Sequence, residues 1–138
     1  KNGRLIKNLA IQYFKPKPII NVHGSNYKTK DGTCVRDYIH VSDIADIHYE
    51  CIKYLKKNLK SNIFNCGYGK GYSVLEIVNI FKKIKKNVKI NFMKRRPGDV
   101  GQVHANTNKF KKTFKWKPKY NNINKILNSA INWEKKLR

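Results

Sequence analysis

Apolar residues at Leu5, Ile6, Leu9, Ile11, Tyr13 and Phe14 recur at helical spacing and stop before Pro16 and Pro18, which cannot continue a helix. Ile19-Ile20-Asn21-Val22-His23 then reads as a strand closed by Gly24. After the turn-forming Asp31-Gly32 pair, Val35, Tyr38, Ile39 and Val41 give a segment of strand character, ending at Ser42-Asp43 as a helix N-cap. The pattern predicts a helix from Asp43 to about Asn58, with Ile44, Cys51, Ile52 and Leu55 on one face and Lys53, Lys56, Lys57 and Lys60 on the other. A strand over Asn62–Cys66, a helix from Val74 to about Lys86 and an alternating, half-buried strand over Val88–Phe92 follow. The helix buries Leu75, Ile77, Val78 and Phe81, with Ser73 capping it and Glu76 completing a capping box. A short helix over Thr107–Phe114 leads, through a turn at Trp116-Lys117-Pro118, to a terminal helix. Its apolar face is Ile123, Ile126, Leu127, Ala130 and Ile131, and Trp116 and Trp133 read as core anchors. The class is α/β with an α+β character: short strands and three to five helices.

A chain of 138 residues supports one modest domain with its own core, spanning residues 1–138. It contains no apolar run long enough for a membrane span, and Lys1–Asn8 is polar where a signal peptide would be apolar, so a cytoplasmic setting is the default. Cys34, Cys51 and Cys66 are odd in number and lack a CxxC pair, and the four histidines lack metal-ligand spacing, so neither a disulfide framework nor a metal site is signalled.

The formal charge of +23 raises a nucleic-acid reading. Against it, the excess is almost all lysine, it is spread over the whole chain, and no aromatic–arginine interleaving accompanies it; a lysine stripe is usually a solvated face. Nucleic acid is therefore a poor second as a partner. Arginine is the informative cation, because only five of the thirty-one lysines and arginines are arginines. Arg36 sits inside the Asp31–His40 stretch and Arg96 inside Arg95-Arg96-Pro97-Gly98-Asp99, a turn with an acid. A guanidinium offers a planar fork that matches phosphate oxygens, whereas an ammonium is a point charge. The plain alternatives are a structural Arg36 paired with Asp37 or Asp31, and a surface Arg–Asp pair in the second turn.

The stretch DGTCVRDYIHVSDIA resembles the signature of UDP-glucose 4-epimerases, members of the extended short-chain dehydrogenase/reductase group. FNCGYGKGYSVLEIV, KRRPGDVGQVHAN, FKWKPKY and the closing Trp133-Glu134 follow in that family's order. The resemblance covers nearly the whole chain but only the C-terminal, substrate-binding portion of those longer enzymes. It implies a UDP-sugar as ligand. Arg36 and Arg96 would clamp the diphosphate, Asp99 would accept the ribose hydroxyls, the backbone of Asn21, Val22 and His23 would run along uracil, and Tyr38 would be a further substrate-binding residue. His23 stands where the family has an aromatic ring, and Arg4-Leu5-Ile6-Lys7 stands in place of a His-Leu-Ile-Pro or Asn-Leu-Met-Pro piece near the uridine. Val103, seven positions after Arg96, would border the hexose, and its small size leaves room for an acetamido group.

By the same resemblance, NAD belongs to the full-length enzyme, on an N-terminal Rossmann domain absent from this chain. There a YxxxK pair oxidises the sugar at C4 and a 4-keto intermediate is reduced on its other face. The run Gly67-Tyr68-Gly69-Lys70-Gly71 lacks the context of a dinucleotide fingerprint, and Tyr13 to Lys17 has the YxxxK spacing but is interrupted by Pro16, so no residue here is assigned a catalytic role. The expectation is a UDP-glucose 4-epimerase substrate domain, inactive alone and a possible homo-oligomer. The alternatives are the corresponding domain of another nucleotide-sugar enzyme, a dehydratase or decarboxylase, and a free-standing basic binding module.

Overall fold

The computed structural model describes residues 4–138, so the first three positions of the polar Lys1–Asn8 stretch lie outside the described residues. Five helices and five short strands are described: α1 (Leu5–Tyr13), β1 (Ile19–His23), β2 (Val35–Asp37), α2 (Val41–Asn58), β3 (Gly71–Ser73), α3 (Val74–Ile84), β4 (Lys89–Met93), β5 (Gln102–Val103), α4 (Asn108–Thr113) and α5 (Ile123–Lys136). The strands form two small sheets. β1 and β4 pair in parallel, with Asn21 opposite Asn91. β2 lies between β3, antiparallel, and β5, parallel, which places Arg36 between Tyr72 and Val103.

The main core joins α1, β1, α3 and α5 through Leu9, Val22, Ile77, Phe81 and Leu127, all fully buried. This is the mixed α/β arrangement the apolar periodicity predicts, and the α3 capping box forms as the Ser73/Glu76 spacing requires: the Glu76 amide donates to Ser73 Oγ and the Ser73 amide to the Glu76 carboxylate. A second, aromatic cluster gathers Ile47 of α2 with Phe110, Phe114, Phe64 and Trp116.

Several elements differ from the sequence reading. The strand expected over Asn62–Cys66 is not formed, because no strand lies beside it among the described residues; side chains hold the segment instead. Phe64 packs edge-on against Tyr54 and Phe114, and Lys109 Nζ donates to the Ile63 carbonyl at 2.9 Å. β2 is only three residues long, matching its equally short neighbours, and α2 begins at Val41. The cap is His40, whose Nδ1 accepts the Ser42 amide at 3.1 Å. Asp43 cannot serve as the cap because its carboxylate is committed elsewhere. Completely buried, it accepts the Tyr68 hydroxyl at 2.5 Å and the Lys119 and Tyr120 amides at 3.0 Å each. Burial, and then the Asp43 hydrogen bond, push the Tyr68 phenol well above its ordinary range, so it stays a neutral donor.

Those bonds also set the rotation of α2. Asp43, Ile47 and Tyr54 face inward, so Ile52 and Leu55, expected on the buried side, turn outward. Leu59 lies on the same exposed face, and Val41 at the start of α2 and Ile63 beyond its end, 84% exposed, are further exposed apolar positions. Trp133 is likewise exposed, at 63%, and lines a groove of about 480 Å³ opposite Leu5 and Ile6 instead of anchoring the core. β4 does not alternate as expected: both Phe92 and Met93 are exposed.

Asp31 joins the sheet that carries Arg36 to the start of α3. One carboxylate oxygen accepts the Thr33 amide at 2.9 Å and the Thr33 hydroxyl at 2.7 Å, and the other accepts the Ser73 hydroxyl. Thr33 Oγ1 in turn accepts the Leu75 amide at 3.1 Å. Burial alone would raise the Asp31 pKa, but the hydrogen bonds from Ser73 and Thr33 outweigh it and hold the carboxyl below its ordinary 3.8.

Two outcomes follow. Because the folded-state pKa of Asp31 is depressed, its contribution to stability is complete above about pH 4 and is lost as the pH falls through the folded value. Denaturation midpoints measured from pH 6 down to pH 2.5 should therefore fall more steeply below about pH 4 in the native protein than in Asp31→Asn. The second concerns Ile52, Leu55 and Leu59, exposed apolar side chains on one face of α2 that water disfavours. The chain expressed alone should self-associate, and Ile52→Glu with Leu55→Lys should shift it toward monomer in sedimentation velocity; a monodisperse native chain would contradict this.

Candidate functional site

The residues singled out in the sequence come from four separate stretches, and the fold brings six of them to one cavity of about 290 Å³: Asn21, His23, Arg36, Tyr38, Arg96 and Asp99. Alternation along β1 explains its share. Val22 points into the core with no exposure, while Asn21 and His23 face the other way. Val22 therefore offers the cavity no side chain. Val103 lies on β5 beside Arg36 but is 52% exposed and does not line the cavity.

Arg36 is held from two sides. Its Nη1 donates to the Val35 carbonyl at 2.8 Å, and its Nη2 lies 4.0 Å from Asp99 Oδ1. That ion pair is about a third exposed, so as a stabilising contact it is worth little; its value is in aiming the guanidinium. Asp99 is delivered by a tight turn. Its amide donates to the Arg96 carbonyl at 3.2 Å, with Pro97 preceding Gly98, whose φ of +80° is the left-handed geometry that a type II turn assigns to glycine.

The same turn separates two adjacent arginines into different roles. Arg95 stacks on Tyr27, 4.0 Å from the ring centre, and its Nε donates to Asn26 Oδ1 at 2.7 Å. A further bond to the Asn26 carbonyl completes its fork, so Arg95 staples the turn to the 24–27 loop. Arg96 lines the cavity, and its guanidinium makes no ion pair or hydrogen bond among the described residues. Tyr38 closes the wall. Burial drives its phenol up to about 12, against a smaller opposing pull from Arg36, so it remains a neutral hydrogen-bonding group.

Sequence reasoning left out Asn8, Cys34 and Val74, which also line the cavity; Arg4 and Leu5, which line it too, belong to the piece that the resemblance sets near the uridine, with no contact assigned to either side chain. Cys34 and Val74 are ordinary apolar positions, and nothing in their local spacing marks them. Arg4 carried a legible signal. It is the N-cap of α1, yet its side chain makes no capping bond and the first turn of the helix holds no acid. A cation at the positive end of a helix dipole is unfavourable by about 0.3–1 kcal/mol, so its placement there calls for another reason.

The Gly67–Gly71 run does not form a dinucleotide cradle. Gly67 backs onto Asp37, where a Cβ would clash with the carboxylate. The amides of the following helix are already engaged: Val74 donates to the Cys34 carbonyl, Leu75 to Thr33 and Glu76 to Ser73. No open helix N-terminus remains there for a pyrophosphate, so this run does not fit the pyrophosphate of a dinucleotide. Among the described residues no group of three His, Cys, Asp or Glu side chains is placed to hold a metal, and no helix is long and apolar enough to cross a membrane.

Residues 1–67 match the NAD dependent epimerase/dehydratase family. The UDP-glucose 4-epimerase of Azospirillum brasilense is 40% identical over 134 residues, covering 96% of this chain and 38% of that protein. The structure of the UDP-Glc/GlcNAc 4-epimerase from Campylobacter jejuni superposes with a TM-score of 0.86 at 38% identity, over 99% of this chain and 42% of that one. A UDP-glucose-4-epimerase from Stenotrophomonas maltophila, with bound NAD and formylated UDP-arabinopyranose, superposes with a TM-score of 0.86 at 28% identity, over 99% of this chain and 40% of that one. The chain thus spans about two fifths of the length of the relatives it matches.

Proposed function

We propose that this chain, related over nearly its whole length to UDP-glucose 4-epimerases, is the C-terminal substrate-binding portion of such an enzyme and holds the uridine diphosphate of a UDP-hexose. The observation that carries the reading is the convergence of Arg36 and Arg96, sixty residues apart in sequence, on one cavity shared with Asp99 and the Asn21/His23 edge. Two guanidinium forks suit the two phosphates of a diphosphate. A carboxylate with two acceptor oxygens suits vicinal ribose hydroxyls, and a peptide edge can offer the donor and acceptor that the uracil imide demands.

Binding would exchange partners within the cavity. Asp99, 4.0 Å from Arg36 in the free chain, turns to the ribose as the phosphates take the guanidinium. The NAD site and the groups that oxidise and reduce the sugar at C4 belong, in this reading, to an N-terminal Rossmann domain outside this chain. The residues here bind and orient the substrate, and the chain alone is inactive. Homo-oligomer formation in the assembled enzyme is compatible with this role.

Two measurements test it. The chain should bind UDP more tightly than ADP, and Arg96→Lys should weaken UDP by about tenfold despite keeping the charge, because hydrogen bonds to charged groups are worth about 1.5–3 kcal/mol and the fork is lost. Equal titration of the two nucleotides would reduce the site to a generic cationic patch. The second addresses Val103, proposed as the residue beside the hexose. In the full enzyme, Val103→Tyr should lower kcat/KM for N-acetylated UDP-hexoses relative to UDP-glucose and UDP-galactose, by a factor corresponding to about 1–3 kcal/mol. An unchanged ratio would remove Val103 from the sugar site.

A further inference from the structure

The cations of this chain are sorted at one place. Only five of its thirty-one lysines and arginines are arginines, yet three of those five, Arg4, Arg36 and Arg96, line the 290 Å³ cavity, and no lysine does. If the cavity merely sampled the surface charge, lysine would dominate its wall. We propose that Arg4 is a third phosphate-binding fork of this cavity, closing from the start of α1 on the same diphosphate that Arg36 and Arg96 engage.

The side chain is available for that role. Its guanidinium makes no ion pair or hydrogen bond among the described residues, and it does not cap the helix it begins. Its position is unfavourable without a ligand, because it places a positive charge at the positive end of the α1 dipole with no acid in the first turn. A bound anion reverses that sign, since it is attracted by the side chain and by the helix end together. Local rules broken in this way are characteristic of binding sites. The other two forks also leave work to do. Arg36 is partly committed to the Val35 carbonyl and to Asp99, so Arg96 is the one other guanidinium on the wall with no partner in the free chain.

The inference rests on the reading of this cavity as a nucleoside-diphosphate site, and the test separates the two. Uridine, UMP, UDP, ADP and inorganic pyrophosphate are titrated calorimetrically into the full-length protein, as wild type, Arg4→Asn and Arg4→Lys. Arg4→Asn should weaken UDP and pyrophosphate by about tenfold and leave uridine unchanged, and Arg4→Lys should restore only a minor part of the loss, because the ammonium lacks the fork. Helicity and melting are measured alongside; loss of the cation should not lower either, and Arg4→Gln replaces Arg4→Asn if that variant fails to fold. Unchanged UDP and pyrophosphate affinities, or an equal loss for uridine, overturn the proposal. A wild type that binds UDP and ADP alike but loses pyrophosphate in Arg4→Asn overturns the uridine reading and retains the third fork.

Discussion

The Asp31 carboxylate fixes where everything around the cavity can be. It ties the entry of β2 to the first turn of α3 through Thr33 and Ser73, so the strand that carries Arg36 and the helix that forms the core move as one body. The tie matters because the ladders of β2 are short, a three-residue antiparallel pairing and a two-residue parallel one, and it acts together with the Val74 amide on the Cys34 carbonyl and the Val35 amide on the Gly101 carbonyl. Asp43 does the same for α2, gathering a tyrosine hydroxyl and two loop amides into the protein interior. In a chain this basic, both carboxylates serve as multi-donor acceptors, and that use of scarce acids gives the small sheets a defined position on the helical core.

The charge of the chain and the chemistry of the cavity are separate matters. Lysine supplies the net charge and is solvated over most of the surface, whereas the cavity is walled by arginine. Planar forks in fixed positions discriminate geometry in a way that mobile ammonium groups do not. The adjacent Arg95 and Arg96 show how finely the fold assigns that property. One is consumed by Tyr27 and Asn26 to anchor the turn, which leaves the other turned into the cavity from a rigid base.

Much of this was legible from residue patterns. The periodicity of α1, α3 and α5, the Ser73/Glu76 capping box, the Pro-Gly turn before Asp99 and the β1 strand all follow from local physical chemistry and appear as expected. So does the singling out of Arg36 and Arg96, since rare arginines in turn and strand contexts stand out against a lysine background. Asn62–Cys66 was not legible, because strand propensity predicts a shape and only a neighbouring strand makes a ladder.

By itself the sequence determined which segments are helical, where they stop, and which cations carry forks, because each depends on a residue and its near neighbours. Only the tertiary structure decided that Asp43 is a buried hub and His40 the cap, that Ile52, Leu55 and Trp133 face outward, and that Arg4 joins Arg36 and Arg96 around one cavity. The rotation of a helix and the convergence of distant side chains depend on hydrogen bonds and packing between segments far apart in the chain. Periodicity can mark a face as apolar, but it cannot say which partner, if any, covers it.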